Sequence, residues 1–255
     1  DTIKWQSFGT STYDELPTTR FDWNKLESSR LDIGFPYPAG GSMTELPLNM
    51  DSVPTMDFDI SSFEKQELDV RVIALGQPEI GPAGNLPNPA QATRGVRIVE
   101  EGFGLPSSAT SSMTSKDGSI WIGTQGGYLA RYNSANVELY GPEQGLEIGA
   151  ISSIIEDSKG RIWVGSNRDN VLVIDLKAHL IYELQSRSFM HRIFKFTEVS
   201  NGTVWTRNNS PGYSFIDFED KSVTVMGGEN SPFNGFTISA FEDSQGLIWA
   251  ASSEG

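Results

Sequence analysis

Four tryptophans, Trp121, Trp163, Trp205 and Trp249, stand 42, 42 and 44 residues apart, and each closes the same short phrase. The phrases are SKDGSIWIGT (115–124), DSKGRIWVGS (157–166), VSNGTVWTRN (199–208) and DSQGLIWAAS (243–252). A glycine lies three residues before every Trp, and Ile or Val directly before it. A period in the low forties marks one supersecondary unit repeated along the chain.

Each phrase follows an alternating or apolar run, 150–156, 192–198 or 236–242, with the period-2 pattern and β-branched content of a strand. A turn must come next. Gly118, Gly160, Gly202 and Gly246 supply positive φ there, and Asp117, Asp157, Asn201 and Asp243 can bond back to the turn's own backbone. The phrase is then a hairpin whose second strand carries Trp. In the second repeat, runs at 170–176 and 180–184 add a third and a fourth strand. Four short strands in about forty residues predict a propeller blade.

The blades are expected at 104–140, 145–184, 192–225 and 236–255, three complete and the fourth partial. The fold class is therefore all-β: β-propeller blades preceded by a largely irregular, Pro-rich segment. A partial ring leaves sheet edges open, so self-association or continuation into further repeats is expected.

A Gly-Leu start (Gly104-Leu105, Gly145-Leu146), then Ser-Ile-x-Glu-Asp, then Gly-x-Ile-Trp-x-Gly-Ser/Thr resembles the two-component-regulator propeller repeat. The second repeat, LEIGAISSIIEDSKGRIWVGS, carries nearly the whole pattern, whereas the third has Arg207 and Asn208 where Gly-Ser would stand. The resemblance covers roughly 96–255. It implies the extracytoplasmic, periplasmic sensor region of a bacterial histidine kinase or related signalling protein, tethered to the inner membrane by a segment outside this stretch. It also implies a carbohydrate-type ligand and dimeric signalling.

Before residue 96 the repeat is absent, and nine of the thirteen prolines precede residue 90. This predicts a non-repeat segment over 1–95 and propeller repeats over 96–255. Within the first part, 24–30 reads as a short helical turn. Met56, Phe58 and Ile60 form one alternating run, and Leu68, Val70 and Val72 another, so two strands are expected. The stretch GQPEIGPAGNLPNPAQATRG (76–95) reads as an extended connector. Val96 to Val99 would supply an outer strand for the first blade.

The net charge of −14 is spread evenly, with 7 basic and 14 acidic residues before Val96 and 12 and 19 after it. No basic patch exists to neutralise phosphates, which argues against nucleic acid as a partner. Nothing is long and apolar enough to span a membrane, and no membrane contact by this region itself is expected. The absence of cysteine removes disulfides, thiolate catalysis and Cys-ligated zinc together.

His179 and His191 lie in separate elements without clustered carboxylates, so no metal site and no cofactor are expected, and chelator should leave the melting temperature unchanged. Asp57, Asp59 and Ser61 resemble the start of a calcium loop, but Ser62 stands where that loop needs Gly and Leu68 where it needs Glu. GTQGG (123–127) lacks the Lys-Ser/Thr of a phosphate loop and reads as a turn. The turn acids sit one or three residues before the turn Gly, not two as in the Asp-box of sialidase-like propellers, and are read as structural. No Gly-x-Ser-x-Gly elbow is present, although paired carboxylates at the channel mouth stay open as glycosidase machinery.

Binding remains. The loops joining second to third strand, and each blade to the next, gather on one face. They carry Gln125, Arg168, Asp169, Asn170, His191, Arg192, Arg207, Asn208 and Asn209, with Phe189, Tyr213 and Phe233 nearby. Amide, guanidinium and aromatic groups suit a polar ligand such as an oligosaccharide. The expected function is thus a non-enzymatic, ligand-binding sensory propeller. Its rivals are a propeller glycosidase or lyase and a protein-interaction scaffold.

Overall fold

The computed structural model describes residues 59–82, 104–133, 136–167, 171–185, 193, 195–207, 212–227 and 237–252. Apart from two 3-10 turns, at Ile60–Ser62 and Pro142–Gln144, the regular elements among them are strands. The architecture is that of a β-propeller.

Three strands precede the repeats: β1 (Lys65–Glu67), β2 (Asp69–Ala74) and β3 (Glu79–Pro82). The first repeat forms β4 (Ala109–Thr114), β5 (Ile120–Thr124), β6 (Leu129–Asn133) and β7 (Asn136–Tyr140). The second forms β8 (Ile151–Glu156), β9 (Ile162–Ser166), β10 (Val171–Asp175) and β11 (Leu180–Gln185). The third forms β12 (Lys195–Glu198), β13 (Val204–Arg207), β14 (Gly212–Asp217) and β15 (Ser222–Gly227), and the fourth β16 (Thr237–Glu242) and β17 (Ile248–Ser252). Every repeat sheet is an antiparallel meander, and the first strands β4, β8, β12 and β16 follow one another at one edge.

Each complete repeat has five strands rather than four, because β3 pairs with β7, β2 with β11 and β1 with β15 along the opposite edge. This changes the domain reading. The chain divides between Met56 and Asp57, and strands from the supposed non-repeat segment are hydrogen-bonded into the sheets, well before the expected boundary near residue 95. The expected connector contains β3 itself, which takes the outer position expected of Val96–Val99. Ile60 belongs to a 3-10 turn and not to a strand. The remaining expectations before residue 59, and Val96–Val99 themselves, lie outside the described residues.

The sheets stack through the tryptophans. Trp121 packs with Ile151, Ile154 and Val164 of the next sheet. Trp163 packs with Ile193, Phe196 and Val204, and Trp205 with Ala240 and, at its margin, Ile248. The Gly after each of the first two Trp-x pairs is required by this stacking: a Cβ on Gly123 would lie 2.3 Å from Cγ2 of Ile151, and one on Gly165 2.6 Å from Cγ2 of Ile193. Apolar area taken from water at these interfaces, at about 25 cal/mol per Å², is what holds neighbouring repeats together.

Candidate functional site

In an antiparallel meander successive connections alternate between two ends of the sheet. The turns between first and second and between third and fourth strands share one face. The turns between second and third strands share the other with the links joining repeats. The two faces differ in chemistry.

On the first face every recurring acid has a partner. The Asp157 carboxylate accepts from the backbone N–H groups of Lys159 (3.0 Å) and Arg161 (2.9 Å), from Nε of Arg161 (2.6 Å) and from Nε1 of Trp163 (2.9 Å). Asp243 repeats this with Gln245, Leu247 and the Trp249 indole, the last at 2.7 Å. Asp117 holds Ser119 and Arg131, and Asn201 holds the Thr203 N–H.

In the second, third and fourth repeats the glutamate that ends the first strand reaches across to the preceding repeat. Glu156 accepts from Ser115 Oγ (2.6 Å) and the Lys116 N–H (2.7 Å), Glu198 from the Ser158 N–H (2.9 Å), and Glu242 from Ser200 Oγ (2.7 Å). In the Glu-Asp pair of the motif, Glu therefore ties sheets together and Asp closes its own turn.

These contacts hold the turn acids ionised. Burial pushes the Asp157 carboxyl up, but hydrogen bonds from the Trp163 indole and from Arg161 outweigh it and leave it below its usual range. Hydrogen bonds from Ser119 hold Asp117 well below that range, and the Trp249 indole lowers Asp243. Glu219, which binds Lys159 (2.7 Å) and Arg161 (2.8 Å), is lowered by them. General acid catalysis needs the reverse, a carboxyl raised toward neutral pH.

The second face is built differently. Gln125 is exposed at the tip of the β5–β6 turn, whose backbone is fixed by Gln125 N–H to Ser108 O and Gly126 N–H to Ser107 Oγ, both at 2.9 Å. Gly127 has φ +80 and sits so close to the link that a Cβ would lie 2.2 Å from Ile148 O. The half-buried Tyr128 ring covers Gly141, an aromatic on this face that the sequence reading overlooked. Arg207, half-buried at the end of β13, takes the place held by Gly123 and Gly165 in the first two repeats. Tyr213 is not available for stacking, being 2% exposed and packed against Trp205. Arg168, Asp169, Asn170, Phe189, His191, Arg192, Asn208, Asn209 and Phe233 lie outside the described residues.

Also overlooked was the Lys195 ammonium, which donates to Ser239 Oγ at 2.9 Å between the first strands of adjacent repeats. His179 works in a turn, at φ 54. Among the described residues no helix is long and apolar enough to cross a membrane, and no cluster of His, Asp and Glu has the makings of a metal site.

Residues 145–168 match the family model of the two component regulator propeller. Residues 145–168 carry the two-component regulator propeller repeat. The matched residues hold Glu156, Asp157, Gly160, Trp163 and Gly165, so the repeat is defined by the acid pair, the turn and the stacking tryptophan described above. No curated protein matches the chain.

Among solved structures, the chain is similar to a catalytically inactive virginiamycin B lyase from Staphylococcus aureus with quinupristin. Identity is 15% and TM-score 0.51, over 73% of this chain and 68% of that one. Two further similar chains are extracellular domains assigned to hybrid two-component systems of B. thetaiotaomicron. One is 24% identical, with TM-score 0.47 over 56% of this chain and 20% of its own; the other is 19% identical, with TM-score 0.43 over 57% and 22%. This chain spans about a fifth of those two ectodomains. The likeness to the lyase is one of fold.

Proposed function

We propose that this region is a non-enzymatic, extracytoplasmic sensing module of a two-component signalling protein. It binds a polar, carbohydrate-type ligand on the face of Gln125 and Arg207. The observation that carries this is the division between the faces. The recurring carboxylates are consumed as hydrogen-bond acceptors in turns and inter-sheet ties, while the opposite face presents the Gln125 amide to solvent. An amide, a guanidinium and a partly exposed tyrosine ring supply the kinds of hydrogen bond and stacking surface that hydroxyl-rich ligands need. Anchoring to the inner membrane belongs to sequence outside this stretch, and signalling proceeds through dimers.

A propeller lyase is the second reading, because the lyase fold spans most of this chain. Calorimetry with a panel of neutral and acidic oligosaccharides, followed by mass analysis of the recovered sugars, separates the two. Saturable binding of an intact ligand supports sensing. Shortened or unsaturated products, lost on replacing one carboxylate, support the lyase.

A further inference from the structure

The segment Lys65–Pro82 runs along the outer edge of three sheets in reverse order, β1 on the third, β2 on the second and β3 on the first. Its contacts are those by which proteins recognise extended peptides: backbone hydrogen bonds of an added edge strand, with side-chain pockets that set the register. The register is continuous where pairing is longest, from Asp69 opposite Gln185 to Ala74 opposite Leu180.

At each crossing from one sheet to the next a leucine enters the gap. Leu68, between β1 and β2, is 2% exposed and packs with Trp163 and Leu184 of the second sheet and Ile216 and Val223 of the third. Leu75, just after β2, is 6% exposed and packs with Leu129 and Tyr140 of the first sheet and Ile181 of the second. The two leucines are seven residues apart.

The repeats present a matching device at the same spacing as their own period. Among the described residues, His179 (φ 54) and Lys221 (φ 47) are the non-glycine residues with positive φ, 42 positions apart in the turns between third and fourth strands. The carbonyl of Lys221 accepts the Leu68 N–H at 2.8 Å, and that of His179 accepts the Leu75 N–H at 2.9 Å. Such φ values close the two hairpin turns that Asp175 and Asp217 cap, and they leave the two carbonyls at equivalent positions on the rim. The four strands of each repeat already form a sheet, and the segment adds a fifth at the rim, where Val72 and Ile80 stay 56% and 69% exposed.

We propose that this outer rim is a peptide-recognition surface that reads an extended segment with two leucines seven residues apart. Lys65–Pro82 is its resident, exchangeable ligand. The occupant is thus a segment of this chain, held by edge pairing and two inter-sheet pockets, and one of equivalent sequence takes its place when supplied separately.

The test keeps the whole protein. A specific protease site is placed between Pro82 and Gly104, the folded protein is cut, and the two pieces are followed by size exclusion. The expected result is that the pieces co-elute and that excess synthetic peptide spanning 65–82 displaces the amino-terminal piece. The same peptide with Leu68→Ser and Leu75→Ser should need a concentration on the order of a hundredfold higher, since each lost leucine contact is worth about tenfold or more. Separation on cutting, equal displacement by both peptides, or no displacement by the unaltered peptide overturns the proposal. The circular dichroism of the uncut and cut proteins reports whether the sheets remain intact, so loss of folding is distinguished from loss of recognition.

Discussion

The indole N–H of Trp163 donates across 2.9 Å to the carboxylate of Asp157, six residues earlier, and the same bond joins Trp249 to Asp243 at 2.7 Å. In the first repeat Ser115 occupies the equivalent position, and the buried Trp121 Nε1 has no hydrogen-bond partner. Trp→Phe removes similar volume at both sites, so the difference between Trp163→Phe and Trp121→Phe compares a bonded indole N–H with an unbonded one. Trp163→Phe should cost about 1–3 kcal/mol more in urea denaturation, the usual worth of a hydrogen bond to a charged group. Equal losses would mean that the indole bond contributes nothing.

Truncation of the whole ring has a larger effect. Trp163 is fully buried between the second and third sheets and meets Phe196 and Phe218 edge-on. Trp163→Ala should therefore cost about 3–5 kcal/mol. A loss below about 1 kcal/mol would remove Trp163 from the core that joins the sheets.

The low position of the Asp157 carboxyl predicts acid lability. Its folded-state pKa lies below the ordinary 3.8, so the stability it contributes is complete above that value and disappears as pH falls through the folded pKa. Asp157→Asn places an amide N–H against the donors of Arg161 and Trp163, which should lower stability at neutral pH. It should also flatten the decline of the urea midpoint below about pH 4. An unchanged acid slope in the variant would show that other carboxylates govern acid unfolding.

Two glycines of the motif fail for different reasons when replaced. Gly202 has φ +83 and open space around it, so Gly202→Asn, which tolerates the left-handed region, should cost under about 1 kcal/mol. Gly165 has a negative φ but faces Ile193 and Phe196, whose atoms lie 2.6 Å and 2.8 Å from a built Cβ. Gly165→Ala should cost about 1–3 kcal/mol through overpacking. The opposite ranking in thermal melts would contradict the assignment of Gly165 to the sheet interface.

The repeat was legible because its signals are local and recur. Gly160 and Trp163 lie in one hairpin, and a shift of 42 residues finds them again. A strand at 68–72 was legible, but its place as an outer strand was not, because Lys65–Pro82 pairs with strands distant in sequence and has no period of its own. The alternation of Leu68, Val70 and Val72 suggested one buried face, yet burial falls along it from Leu68 to the exposed Val72. Leu68 is buried by the gap between two sheets, which no single strand's pattern encodes. The carboxylate roles were readable in part: an Asp six residues before Trp occurs in the second and fourth repeats, but that it reaches the indole requires the turn's geometry. On the face of the β5–β6 turn, Gln125 could be placed by topology, whereas the burial of Tyr213 came from packing against Trp205.

Hydrogen exchange measured with and without a bound oligosaccharide tests most directly whether the ligand sits on the face of Gln125. Slowed exchange in peptides covering 123–128 and 204–207, with the sugar recovered intact, is the predicted result. Slowed exchange confined to the turns at 115–119 and 157–161, or recovery of a cleaved sugar, would contradict it.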